Sequence, residues 1–143
     1  MEGYRHVTPI AVRFRDLDAM GHVNNAVFFT YLETARVEYV RRGILGEDQV
    51  RNFTDRVGLI LARISCEFKL PIYYGQQVEV GTRVVEMRNS SFLVEQCIEA
   101  DNRLAALAEA VVVHYDYQSG QSVRIPDDIR ARVEMFEREG QAA

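Results

Sequence analysis

Two acids, a glycine, a histidine and two asparagines fall within the eleven residues Arg15–Asn25, RDLDAMGHVNN, immediately before an apolar helical pattern. A carboxylate in such a place can attack an acyl carbonyl or take a proton from a water that does. The N-terminus of the following helix offers unpaired N–H groups and a partial positive charge, which suit a developing oxyanion. Asp18 lies just ahead of that terminus, and Gly21 would let a carbonyl come close to the backbone. G-x-S-x-G, H-E-x-x-H, the P-loop and the dinucleotide fingerprint are all absent, so a catalytic centre in this chain would be a carboxylate.

Two other uses of the same residues compete. Asp16, Asp18 and Gly21 occupy positions one, three and six of an EF-hand-like loop, but Met20 at position five and Val27 at position twelve offer no oxygen. The segment ahead of the loop also reads as strand, so calcium is set aside. Capping is the stronger competitor. Asn24 or Asn25 suits an N-cap, Asp18 can accept N–H groups in a turn, Gly21 suits a left-handed residue, and His22 can be a satisfied, partly buried side chain. Capping explains one asparagine and the glycine well, but does not explain why two acids, a histidine and two asparagines are all needed together.

The elements that must hold these residues are legible from their periods. Thr8–Phe14 reads as an opening strand. Phe28, Tyr31, Leu32, Ala35 and Tyr39 are spaced by three and four and form one stripe along a helix. Arg41 and Arg42 then suit its C-terminal dipole, and Gly43 suits a left-handed cap. From Val57 the period becomes two, with Ala62, Ile64, Cys66 and Phe68 alternating with polar neighbours. A turn at Pro71 and Gly75 leads to the strand QVEVGTRVVEM, whose Val78, Val80, Thr82 and Val84 share a face. After the turn Arg88–Ser90 come SFLVEQCIEA and LAALAEAVVVHYDY, where the valine run favours strand over the helical leaning of the alanines. Pro126, Asp127 and Asp128 ahead of Ile129, Val133 and Phe136 predict a short C-terminal helix, with residues 140–143 frayed.

These elements predict one α+β domain over residues 1–143. A long helix covers one face of an antiparallel five-stranded sheet, with strands two to five as a meander. One helix on one sheet leaves open edges, so an oligomer is expected. The chain has 143 residues, enough for one core, and a net charge of −4 without a basic run, which argues against a nucleic-acid partner. No apolar run approaches membrane-spanning length. Cys66 and Cys97 stand in no framework or CxxC pair, and the opening residues carry no signal pattern, so a cytoplasmic location with reduced thiols is expected.

The run Asp16-Leu17-Asp18-Ala19-Met20-Gly21-His22-Val23-Asn24-Asn25-Ala26, followed by Tyr31-Leu32-Glu33-Thr34-Ala35-Arg36, resembles the hotdog-fold acyl-CoA thioesterases of the 4-hydroxybenzoyl-CoA thioesterase type. Its H-V-N-N spelling is most similar to the branch with long-chain acyl-CoA and plant acyl-carrier-protein thioesterases. Phe68-x-x-Pro71-x-x-x-Gly75 and Arg88-x-Ser90-x-x-x-Val94 extend the resemblance over most of the chain. Met20 departs from the asparagine of plant relatives, Asn24 and Asn25 from the tyrosine and histidine of many bacterial ones, and Gln76 from the family's aspartate.

The resemblance implies a helix wrapped by a sheet, homodimers or homotetramers with active sites at the subunit interface, and no metal or organic cofactor. It makes Asp18 the catalytic carboxylate and the N–H near Asn25 the carbonyl polariser, with Gly21 in the loop and His22 orienting Asp18 or water. Arg88, Ser90 and Ser91 would contact the nucleotide or pantetheine end of CoA, a task for which arginine's donor fork suits phosphate. Leu59 and Ile60 would line the acyl pocket. The substrate implied is an acyl-CoA, fatty or aromatic. The same fold also serves acyl-carrier-protein thioesterases, non-catalytic acyl-CoA binding modules and dehydratases. The last pair an acid with a helix histidine, and no histidine occurs here between Asn25 and His114.

Overall fold

The stripe at Phe28, Tyr31, Leu32, Ala35 and Tyr39 faces inward, and the same five residues are the buried ones of helix α1, Asn25–Tyr39, in the computed structural model, which describes residues 1–45 and 57–142. Five strands follow the expected order of elements, β1 His6–Ile10, β2 Val57–Phe68, β3 Val78–Met87, β4 Ser91–Ala100 and β5 Arg103–Asp116, and a sixth that the sequence does not suggest, β6 Gln121–Ser122, comes after them. Helix α2 closes the chain at Asp127–Ala142, running through residues where the sequence suggests fraying; Ala143 lies outside the described residues.

All pairings are antiparallel, and the sheet order is β1-β3-β4-β5-β2, with the two-residue β6 on β5. Strands β3, β4 and β5 form the expected meander, but β2 lies beyond β5 instead of beside β3. The segment 69–77 is a crossing and not a hairpin. Ala105 O accepts from the backbone N–H of Lys69 at 2.7 Å and Leu70 at 3.2 Å, and Asp101 N–H reaches Gln77 O at 2.8 Å. This carries the chain across the end of the sheet and leaves the outer edge of β2 without a strand partner among the described residues.

Strand β1 stops at Ile10, short of the expected Phe14, because Phe14–Asp16 turn into a 3₁₀ segment closed by Arg13 and Asp16. A bulge at Ala62 shifts the register between Leu61 and Arg63. Leu59 and Leu61 therefore share the inward face with Ile64 and Cys66, while Ala62 is exposed. Residues Ala105, Ala106, Ala108 and Ala110 are buried strand residues: the first three pack in one apolar cluster with the inward side chains of α1, and Ala110 in a second. Helical propensity is overridden there by ladder pairing and burial.

Gly43 is not a left-handed cap. The chain continues past Tyr39 as a π-helical turn, Val40–Leu45, and the positive-φ glycines do not include Gly43. A Cβ on Gly43 would fall 2.2 Å from the Phe136 ring, so its lack of a side chain lets α2 approach. Phe136 in turn stacks on His6 with ring centroids 3.5 Å apart. The two helices thereby close a second apolar cluster around Ile44, Phe92, Ile125 and Val133.

Candidate active site

The polar loop ahead of α1 is tied at both ends by its backbone. Asp18 N–H donates to His22 O at 2.9 Å, Gly21 N–H to Asp18 O at 3.1 Å, Asn24 N–H to Asp16 O at 2.9 Å and Val23 N–H to Ile72 O at 2.8 Å. Gly21 takes φ +88° with open space where a Cβ would stand, so conformation and not crowding demands glycine. Asn24 is the N-cap, its side chain accepting from Ala26 N–H at 2.9 Å. Asn25 is the first helical residue, one of the positions whose N–H has no intrahelical acceptor.

The two acids have opposite environments. Asp16 is buried, and its carboxylate accepts from Arg13 N–H at 2.9 Å, Arg13 Nε at 3.1 Å, Arg13 Nη2 at 2.9 Å and the Tyr31 hydroxyl at 2.7 Å. Burial pushes its pKa up. The bonds from the Arg13 amide, the Tyr31 hydroxyl and the Arg13 guanidinium outweigh that and hold the carboxyl below its ordinary 3.8. Such a group stays charged and fully engaged, which suits a fastening. Asp18 has a side chain 27% exposed; Oδ1 accepts from Met20 N–H at 2.9 Å, and Oδ2 faces His22 Nδ1 at 3.4 Å. It therefore keeps lone pairs for a substrate or water while its orientation is fixed. His22 Nδ1 also lies 3.4 Å from Val23 O, and its ring stands edge-on to Tyr73.

An open groove of about 410 Å³ runs beside α1, walled by Arg36, Val37 and Val40 on the helical side and by Leu59, Leu61 and Val112 on the sheet. Leu59 lines it. Ile60, one residue on, belongs to the other face of the strand and does not. Arg36 is half-buried, and burial lowers its pKa while Glu33 raises it. Its Nη1 donates to Gln96 Oε1 at 3.1 Å. Gln96, fully buried, donates to Leu32 O and to Thr82 Oγ1, each at 3.0 Å. Gln96 occupies an inward position of β4 between Val94 and Ile98, a polar residue in an apolar row, and that interruption was the sequence sign of this network.

Arg88, Ser90 and Ser91 sit together at the β3–β4 turn, where Arg88 N–H donates to Ser91 O at 2.8 Å. Arg88 is exposed, with Glu86 3.3 Å away. Asp18 belongs to the other end of the sheet, beside Ile72 and the start of β3. The ten residues of β3 put the two places on the order of 30 Å apart within one chain. Among the described residues no three His, Cys, Asp or Glu side chains gather as a metal site, and no helix is long and apolar enough to cross a membrane.

The sequence profile of the thioesterase-like superfamily matches residues 12–133, from the loop's beginning to α2. The chain belongs to that superfamily. Among curated relatives it is 27% identical over 124 residues to the acyl-CoA thioester hydrolase YbgC of Shigella flexneri, covering 86% of this chain and 91% of that one. It is 22% identical over 132 residues to the long-chain acyl-CoA thioesterase FadM of Escherichia coli, covering 90% and 97%. A Thermus thermophilus thioesterase crystallised with coenzyme A and zinc superposes with a TM-score of 0.83 at 36% identity, over 96% of this chain and 97% of that one. The fold is the hotdog arrangement that the resemblance implies.

Proposed function

We propose that this chain, an acyl-CoA thioester hydrolase, cleaves a fatty or aromatic acyl-CoA to the free acid and CoA, with Asp18 as the reacting carboxylate. The observation that carries the reading is the contrast between the paired acids: Asp16 is saturated and buried, whereas Asp18 is oriented by Met20 N–H and open to solvent at the start of α1. Relatives named acyl-CoA thioester hydrolase and thioesterase support the reaction class.

In the reaction, the thioester carbonyl rests at the α1 N-terminus, where the N–H near Asn25 and the helix dipole stabilise the oxyanion. Either Asp18 draws a proton from a water that attacks the carbonyl carbon, or it attacks that carbon itself; the C–S bond breaks to release CoA as thiolate, and in the second route water then hydrolyses the acyl–Asp18 anhydride to the free acid and restores the carboxylate. His22 keeps Oδ2 aimed, and Gly21 keeps the approach clear. Leu59 and the apolar groove take the acyl group, and the Arg88–Ser91 turn takes the CoA end.

The separation between Asp18 and Arg88 supports a site made by two copies, with Asp18 of one copy facing the turn of another. The open edge of β2 and the exposed Val37 and Leu61 beside it offer the surface for a homodimer, on which a homotetramer can build. The reading is tested by thiol release from short, long and aromatic acyl-CoA. Turnover is expected for at least one class, and its profile identifies the acyl group. Acyl-CoA binding without thiol release from any of them would contradict hydrolysis.

A further inference from the structure

We propose that Arg130, on the first turn of α2, is a positioning residue for coenzyme A: its guanidinium clamps the backbone of the Arg88–Ser91 turn. This rests on the reading that the turn receives the CoA end of the substrate.

One fork gathers three carbonyl oxygens. Nη2 donates to Arg88 O at 2.6 Å and to Asn89 O at 2.9 Å, and Nε donates to Ile125 O at 3.1 Å. Ile125 N–H also donates to Asn89 O at 2.8 Å, and His114 N–H to Ser90 O at 2.8 Å. The turn is thereby fastened from two sides, by β5 and by the segment leading into α2. Ile125 itself is fully buried, so the clamp bears on a fixed support.

The side chains of the turn are left for other work. Arg88 is exposed and pairs with the exposed Glu86 at 3.3 Å, a pair that phosphate can displace at little cost. A flexible turn would lose conformational freedom on gripping an anion, and a clamped one has already lost it. Two separate nitrogens of the guanidinium, Nε and Nη2, divide the three carbonyls between them in a fixed plane, a spread that the single nitrogen of an ammonium does not reproduce. Arg130 thus acts through the turn and touches no reacting atom.

The test compares wild type, Arg130→Met and Arg130→Lys on an acyl-CoA and on the N-acetylcysteamine thioester of the same acid, which lacks the nucleotide. Thermal unfolding checks that each variant is folded at the assay temperature. For Arg130→Met, KM for the acyl-CoA is expected to rise about tenfold with kcat little changed, while the truncated thioester is unaffected. Arg130→Lys should fall close to Arg130→Met. Full rescue by lysine would make the role one of charge alone and overturn the clamp, as would an equal KM rise for both thioesters or no rise in folded protein. If the wild type hydrolyses neither thioester, the hydrolase reading has failed. Calorimetric binding of free CoA then decides the clamp alone: tenfold weaker binding to both variants upholds it, and unchanged or absent binding overturns it.

Discussion

The Tyr31 hydroxyl, one turn and a half into α1, donates to the Asp16 carboxylate at 2.7 Å, joining the core helix to the loop that carries Asp18. Two residues apart in sequence, Asp16 and Asp18 have different surroundings because Asp16 is buried and held by Tyr31 and Arg13. The first fixes the loop, and the second is left available.

Removing that bond loosens the loop and the fold together. Tyr31→Phe leaves a buried carboxylate with one donor fewer and is expected to cost about 1–3 kcal/mol. Chemical denaturation reads the loss, and kcat should fall with it. Full stability in Tyr31→Phe would show that the bond does not hold the loop.

The same carboxylate makes an acid-dependent prediction. Its folded pKa lies below 3.8, so it binds protons more weakly folded than unfolded. Its stabilisation is therefore complete at neutral pH and lost as pH falls through 3.8 and then through the lower folded value. Denaturation from pH 7 to 3 should show wild type more stable than Asp16→Asn by a constant margin down to about pH 5, with the margin narrowing below that. A margin that widens on acidification would contradict it.

Gly43 and Phe136 form a steric pair that a double-mutant cycle can read. Gly43→Ala places a methyl 2.2 Å from the Phe136 ring and is expected to destabilise by about 1–3 kcal/mol. In a Phe136→Leu background the added cost should shrink, since the aromatic edge is gone. Equal costs in both backgrounds would show that the ring yields without strain.

If Asp18 and the Arg88 turn meet across subunits, two damaged chains can complement one another. Mixed and reassembled Asp18→Asn and Arg88→Ala chains should regain about a quarter of wild-type activity at wild-type KM, because half the dimers carry one intact site of two. If both residues serve the same site from one chain, mixing yields only the high-KM activity of Arg88→Ala.

Much of this was readable from the residues. The α1 stripe, the strands at β3 to β5, an N-cap at one of Asn24 and Asn25, and the left-handed Gly21 all follow from local period and backbone preference. Local signals could not order the sheet: β2 and β3 are neighbours in sequence, and the contacts of 69–77 with Ala105, Val23 and Asp101 accompany their placement on opposite sides of β5. Gly43 carried the composition of a helix end, whereas its use is set by Phe136, distant in sequence. The loop's two acids were visible together, but their division depended on Tyr31, which its stripe marked only as core. A buried tyrosine needs a partner for its hydroxyl, and nothing local to Tyr31 names that partner.

The most direct measurement is thiol release from acyl-CoA by wild type and by Asp18→Asn, with circular dichroism and thermal unfolding showing both folded. Asparagine keeps the size and the bond from Met20 N–H while removing the charge. The prediction is a fall of at least about a hundredfold in kcat with CoA binding retained, the scale of a lost general base or nucleophile. Equal turnover by the two proteins would contradict Asp18 as the reacting carboxylate.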